Sequence, residues 1–157
     1  MSQTPTVTAT ATATVPPFVN RVMKFVLRSP VHGMVSKTVL LITFTGRKSG
    51  KTYTTPVSYS QDGDQVYVFT HATWWRNLRR GTPTPVTLRL RGREVRGLAE
   101  PVAEDKQAVT AGLIAHLRKV PFDAKFYGVT YDDHGNPRAE EAEKAAQTVV
   151  MIRIQLC

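Results

Sequence analysis

Six short segments rich in β-branched and apolar residues, set apart by glycine, proline or Asp-Gly punctuation, limit what this 157-residue chain can fold into. They run over 38–45, 52–60, 66–69, 85–91, 94–101 and 148–156. Alternation of apolar and polar residues over such lengths is the mark of strands with one face buried. Asp62-Gly63 suits a tight hairpin turn with positive φ, and Arg91-Gly92-Arg93 separates another strand pair. Helical spacing predicts one or two turns over 73–80, ended by Gly81, a longer helix over 103–119 with Val109, Leu113, Ile114 and Leu117 on one face, and a short one over 139–146. Residues 120–137 are irregular, with a turn over 131–135. With no parallel β-α-β rhythm, the pattern predicts a mainly antiparallel β fold: a six-stranded, closed or half-closed barrel with peripheral helices.

The length fits a single domain with a core of its own. Residues 4–14 are mostly Thr, Ala and Val without charge, so 1–15 is read as a disordered tail and 16–157 as one domain. Within it, Phe18, Val19, Val22, Met23, Val26 and Leu27 recur at helical spacing opposite Arg21, Lys24 and Arg28. This basic amphipathic helix packs on the domain or touches an anionic membrane surface through residues 16–28. No apolar run reaches the roughly 20 residues a spanning helix needs, and no signal peptide is legible. The single cysteine, Cys157, permits no intrachain disulfide, which fits a cytoplasmic protein. A formal charge of +9 invites an anionic partner: nucleic acid, a membrane face or a polyanionic cofactor.

The chemistry concentrates at Gly46-Arg47-Lys48-Ser49-Gly50-Lys51, which puts three cations, a hydroxyl and two glycines on a hairpin tip. Glycines let backbone N–H groups turn toward an anion, and the cations add charge-assisted hydrogen bonds, so the turn has the outline of a phosphate site. Its plainer alternative is a solvated basic turn. With Thr52 the run approaches the nucleoside triphosphate loop, but the glycines are one residue too close. That loop must also open a helix, whereas Tyr53-Thr54-Thr55-Pro56-Val57 is strand-like. The ATPase reading is rejected.

A second constellation, Trp74-Trp75-Arg76-Asn77-Leu78-Arg79-Arg80, sets both tryptophans of the chain beside cations. Aromatic rings can wall a planar ligand and arginines can hold its acidic group. Adjacent residues on a helix face different ways, however, so one ring in the core and one at a subunit interface is the alternative. Tyr53, Tyr59 and Tyr67 lie on strands. His32, His71, His116 and His134 show no ligand spacing, and Asp132-Asp133-His134-Gly135 lacks the alternating carboxylates of a calcium loop, so no metal site is expected. No nucleophile elbow is present and no catalytic side chain is assigned.

The run 40–57, with its Thr45-Gly46-Arg47-Lys48-Ser49-Gly50 turn and a strand ending near Pro56, resembles the deazaflavin-dependent nitroreductase family. The likeness continues through the Asp-Gly turn, 66–69, the aromatic-x-Asn-Leu segment at Trp75-Arg76-Asn77-Leu78 and 86–92, and so covers roughly 38–101. That family is similar to the flavin-binding split β-barrels and uses coenzyme F420, a deazaflavin with a phosphodiester and an oligoglutamate tail. The resemblance implies that Arg47, Lys48, Ser49, Gly50 and Lys51 hold the phosphate and tail. It places Thr54, Thr55, Pro56 and Val57 beside the ring and adds Trp74, Trp75 and Asn77 to the cofactor site. It implies hydride transfer from reduced deazaflavin to a small electrophilic acceptor such as a quinone, enone or nitro compound, and a homodimer. Only His71-Ala72-Thr73 separates strand from Trp74, where many members insert Gly-Gly and Pro, which implies a differently shaped acceptor pocket. FMN or haem in a barrel of the same fold is the alternative cofactor. The rival from another class is a basic barrel that stacks single-stranded nucleic acid on Trp74 and Trp75; specific nucleic-acid recognition is not expected.

Overall fold

A computed structural model describes residues 38–157 of the chain. The expected tail over 1–15, the amphipathic helix over 16–28 and His32 lie outside the described residues.

Six strands, β1 (Val39–Thr45), β2 (Thr52–Asp62), β3 (Gln65–Thr70), β4 (Thr84–Leu90), β5 (Arg93–Val102) and β6 (Val150–Leu156), close into a barrel in the order β1-β2-β3-β6-β5-β4. Every pairing is antiparallel. Closure comes from β1, which pairs with β2 from Val39↔Ser58 to Thr45↔Thr52 and with β4 from Leu41↔Arg89 to Thr43↔Thr87. The expected six-stranded antiparallel barrel is therefore the observed one. Gly63 takes φ 60° at the β2–β3 turn, the left-handed conformation that an Asp-Gly hairpin requires.

Alternation along the strands separates two cores. Leu40, Ile42 and Phe44 of β1, Val66 and Val68 of β3, Val86, Leu88 and Leu90 of β4, and Ile152 and Ile154 of β6 fill the barrel interior. The opposite parity of the same sheet, Phe69 and Met151, packs outside the barrel against helices α1 (Lys106–Lys119) and α3 (Ala139–Ala145). Each fully buried aliphatic or aromatic side chain here contributes about 1.5–3 kcal/mol through removal of its surface from water.

Helix α1 buries Val109, Leu113, His116 and Leu117, a spacing of four, three and one that keeps a single stripe toward the sheet. It begins three residues later than its periodicity suggested, because β5 continues to Val102 and the Asp105 carboxylate accepts from Ala108 N at 3.1 Å as the cap. The segment over 73–80 is a 3₁₀ helix, Trp74–Leu78, that ends before Gly81 is reached. Residues 120–137, read as irregular, open with a 3₁₀ turn, Pro121–Asp123, that runs into the short helix α2 (Ala124–Tyr127). The Tyr131–Gly135 turn is present, closed by a bridge between Tyr131 and Pro137. β6 starts at Val150 rather than Thr148. Among the described residues no helix is long and apolar enough to cross a membrane.

Candidate active site

The glycine-bounded turn between β1 and β2 is held by its own backbone: Gly46 N donates to Lys51 O at 2.7 Å and Gly50 N to Gly46 O at 2.9 Å. Ser49 Oγ accepts from Lys51 N at 3.1 Å and lies 3.2 Å from Tyr53 Oη. A Cβ at position 46 would sit 2.7 Å from both Ser49 Oγ and Tyr53 Cε2, so a larger residue there would displace the two side chains that brace the turn. Asn77 ties the 3₁₀ helix to this turn. Its Oδ1 accepts from Arg47 N at 3.1 Å, and its Nδ2 donates to Trp74 O at 2.9 Å. Arg80 adds a second tie, donating from Nη2 to Thr45 O at 3.2 Å and from Nε to Asn77 O at 3.2 Å.

Two cavities adjoin at this junction. The smaller, about 300 Å³, is lined by Gly46, Arg47, Lys48, Ser49, Tyr53, Thr73, Arg76 and Asn77. Among the described residues the ion pairs are Arg79–Glu104, His116–Asp123 and Arg153–Glu100, so Arg47, Lys48 and Arg76 bring positive charge to the cavity wall with no carboxylate to neutralise it. An uncompensated cluster of cations on a backbone-braced turn is suited to an anionic ligand.

The larger cavity, about 640 Å³, shares Thr73 and Asn77 with the first and extends along Thr55, Pro56, Val57 and Ser58 of β2 to Trp74, Phe126 and Tyr127. This volume is that of a site for an organic ligand. Trp74 is half-buried, with its ring stacked on Phe44 at 5.3 Å and 21° between planes, which fixes it as a rigid wall. Tyr127 donates to Phe69 O at 3.3 Å, and its hydroxyl is held protonated far above the ordinary tyrosine range by burial first and by the Asp123 charge second. Phe126, which lines the cavity, stands 60% exposed with Phe122 edge-on beside it, so the apolar lining opens onto solvent.

Of the residues expected from sequence, Arg47, Lys48 and Ser49 line the smaller cavity, Thr55, Pro56, Val57 and Trp74 the larger, and Asn77 both. Four are placed differently. Gly50, at φ 71°, shapes the turn and Lys51 supplies backbone bonds to it, but neither lines these two cavities. Thr54 turns its hydroxyl to Thr43 Oγ1 at 2.8 Å, and Trp75 is only 8% exposed, in the barrel core beneath the guanidinium groups of Arg76 and Arg79. The division of the tryptophans, one in the core and one at a surface, follows from their adjacency.

Sequence reasoning missed the far end of the larger cavity. There Ser58 Oγ donates to Asp123 Oδ2, the same oxygen that lies 2.9 Å from His116 Nε2. His116 and Asp123 are 1% and 2% exposed. The available signal was a histidine set among Val109, Leu113 and Leu117 on a buried helical stripe, where a polar ring needs a partner. Among the described residues no group of three or more His, Cys, Asp and Glu side chains could hold a metal ion.

Comparisons with known proteins bear on the fold and on the family. Among solved structures, the chain is similar to a protein from Bacteroides thetaiotaomicron proposed to confer 5-nitroimidazole antibiotic resistance, at 13% identity over 82% of this chain and 79% of that one, with a TM-score of 0.52. A FAD-binding protein from Mesorhizobium loti matches at 18% identity over 82% and 90% of the two chains, with a TM-score of 0.47. An F420 reductase matches at 14% identity over 82% and 94%, with a TM-score of 0.44. No curated protein matches the chain. The model of one family, F420H(2)-dependent quinone reductase, matches residues 18–124, which include both cavities' walls up to Asp123. The chain therefore belongs to the F420H(2)-dependent quinone reductase family, and is an oxidoreductase that uses the deazaflavin coenzyme F420.

Proposed function

We propose that the two adjoining cavities are the two halves of one F420 site and that the larger also receives the electron acceptor. The observation that carries this reading is their continuity through Thr73 and Asn77, which puts a cationic, backbone-braced cavity at one end of an aromatic slot. The donor set fits the coenzyme. Arg47, Lys48 and Arg76 face a phosphodiester and the first carboxylates of its tail, Ser49 offers a hydroxyl, and Lys51 on the same turn lies toward the longer tail. The strand Thr54–Val57 and the Trp74 ring flank the planar head group, with Asn77 bracing the junction and Gly50 setting the turn. Trp75 supports that wall from the core without touching the ligand.

When bound, the reduced coenzyme supplies the hydride; this chain's residues orient and shield. Trp74, Phe126 and Tyr127 present apolar area to a flat acceptor, which favours a quinone and extends to enones and aromatic nitro compounds. Tyr127, held by Phe69 O and kept neutral, contributes a wall rather than a charge. The domain division at residue 16, the two-fold pairing and a membrane contact through residues 16–28 carry no step of this reading.

Fluorescence titration of the purified protein with oxidised F420, with FMN in parallel at moderate salt, tests it. Saturable binding of the deazaflavin at micromolar concentration or below, with FMN much weaker, is the expected result. Preference for FMN would overturn the assignment of the cationic end to an acidic tail.

A further inference from the structure

A hydride delivered to a quinone leaves an oxygen anion, and the reduction is complete only when that oxygen receives a proton. The larger cavity contains one hydroxyl that is backed by a buried carboxyl group, Ser58. Thr55, Thr70 and Thr73 also line the cavity but none is hydrogen-bonded to a carboxyl group among the described residues, and Tyr127, though near Asp123, spends its proton on Phe69 O.

We propose that Ser58, backed by Asp123 and His116, delivers the proton that completes reduction of the acceptor; the proposal rests on the acceptor occupying the larger cavity. His116 defines the direction of the chain. Its Nδ1 is buried and has no hydrogen-bond partner among the described residues, with the Phe69 ring 5.1 Å away. A proton on Nδ1 would be a buried donor without an acceptor, so the ring carries its proton on Nε2 and donates to Asp123 Oδ2 at 2.9 Å. Asp123 then has two arrangements. As a carboxylate it accepts from both His116 and Ser58, and Ser58 shows only its oxygen lone pairs to the cavity. With one proton added it donates to Ser58 Oγ, which frees the Ser58 O–H to point at the acceptor.

The step balances. The hydride and its two electrons pass to the acceptor, which becomes an anion. The Ser58 O–H bond breaks as its proton moves to the acceptor oxygen, and a new O–H bond forms at Ser58 with the proton of the Asp123 carboxyl group. Asp123 is left as the carboxylate that accepts from His116 and Ser58, which is its resting arrangement, and the proton it relays is drawn from a buffer acid in the solvent as the anion forms, so one solvent proton is consumed per acceptor reduced. Asp123 and His116 are positioning and proton-holding groups; Ser58 alone touches the acceptor.

Pentafluorophenolate, ionised at neutral pH, stands in for the anionic acceptor. It would be titrated calorimetrically into protein loaded with oxidised F420, in two buffers of different ionisation enthalpy. The expected result is uptake of one proton per phenolate bound by the wild type and none by Asp123→Asn, whose amide can keep both hydrogen bonds but has no acid proton to give. Ser58→Ala, which removes one half-buried hydroxyl, should weaken phenolate binding at least tenfold while hexafluorobenzene binds within about twofold of wild type, the difference being one hydrogen bond to a charged oxygen. Phenolate binding without proton uptake, the same uptake in Asp123→Asn, or no phenolate binding to the loaded protein would each overturn the proposal alone. Failure of the wild type to take up F420 in the loading step would overturn the cofactor reading beneath it.

Discussion

Replacing Arg47 and Lys48 together with alanine is expected to weaken F420 binding at least tenfold, about 1.4 kcal/mol, with the fold intact. Both side chains are exposed and neither forms an ion pair among the described residues, so their removal leaves no buried charge behind. The turn does not depend on them: Gly46 N to Lys51 O, Gly50 N to Gly46 O and Arg47 N to Asn77 Oδ1 are all made by groups that alanine retains or does not touch. Charge-assisted bonds in partly desolvated sites are worth about 1.5–3 kcal/mol each, and solvent at this rim reduces that figure, which is why tenfold is the lower bound. The wild-type affinity should fall as salt is raised, and the variant's should fall less. Fluorescence titration checks both points; unchanged affinity would put the phosphate somewhere other than this turn.

The second large effect is on stability. Leu113→Ala is expected to destabilise the domain by about 3 kcal/mol, within the range of such truncations at fully buried sites. Leu113 is 0% exposed and lies on the stripe of α1 that packs with Phe69 and Met151 over the outer face of β3 and β6. For a domain of this size about 2–4 °C of melting temperature accompanies each kcal/mol, so thermal denaturation followed by circular dichroism should drop by roughly 6–12 °C. A drop under about 2 °C would mean that α1 is not anchored as described. The same helix carries His116 three residues on, so the outer core that stabilises the domain also sets the position of the buried His116–Asp123 pair.

The barrel is legible because β1 and β4 keep strict alternation and turn residues punctuate the rest. Leu40, Ile42 and Phe44 point inward and Thr45 outward, and Val86, Leu88 and Leu90 do the same with Arg89 exposed between them. The anionic end of the site was legible because it lies within six consecutive residues whose backbone chemistry and charge act locally. The other end was not. Ser58 and Asp123 are 65 residues apart, and it is the packing of α1 and the Pro121–Asp123 turn beside β2 that brings them together. Asp123 itself falls in a stretch whose short 3₁₀ and α turns have no period long enough to read. The two tryptophans divide as the alternative reading of their adjacency has it, with Trp75 in the core. The 3₁₀ helix turns Trp75 inward and leaves Trp74 at the cavity, stacked on Phe44.

Passing electrons from reduced F420 to a quinone is the activity on which all of these roles depend. The most direct measurement mixes the protein, loaded with reduced F420, with a naphthoquinone under anaerobic conditions in a stopped-flow spectrometer, following the return of the oxidised deazaflavin absorbance. The account predicts oxidation of one deazaflavin per quinone consumed, roughly a hundredfold or more faster than in buffer alone. A rate no greater than that in buffer, or turnover obtained only when reduced FMN replaces the deazaflavin, would contradict it.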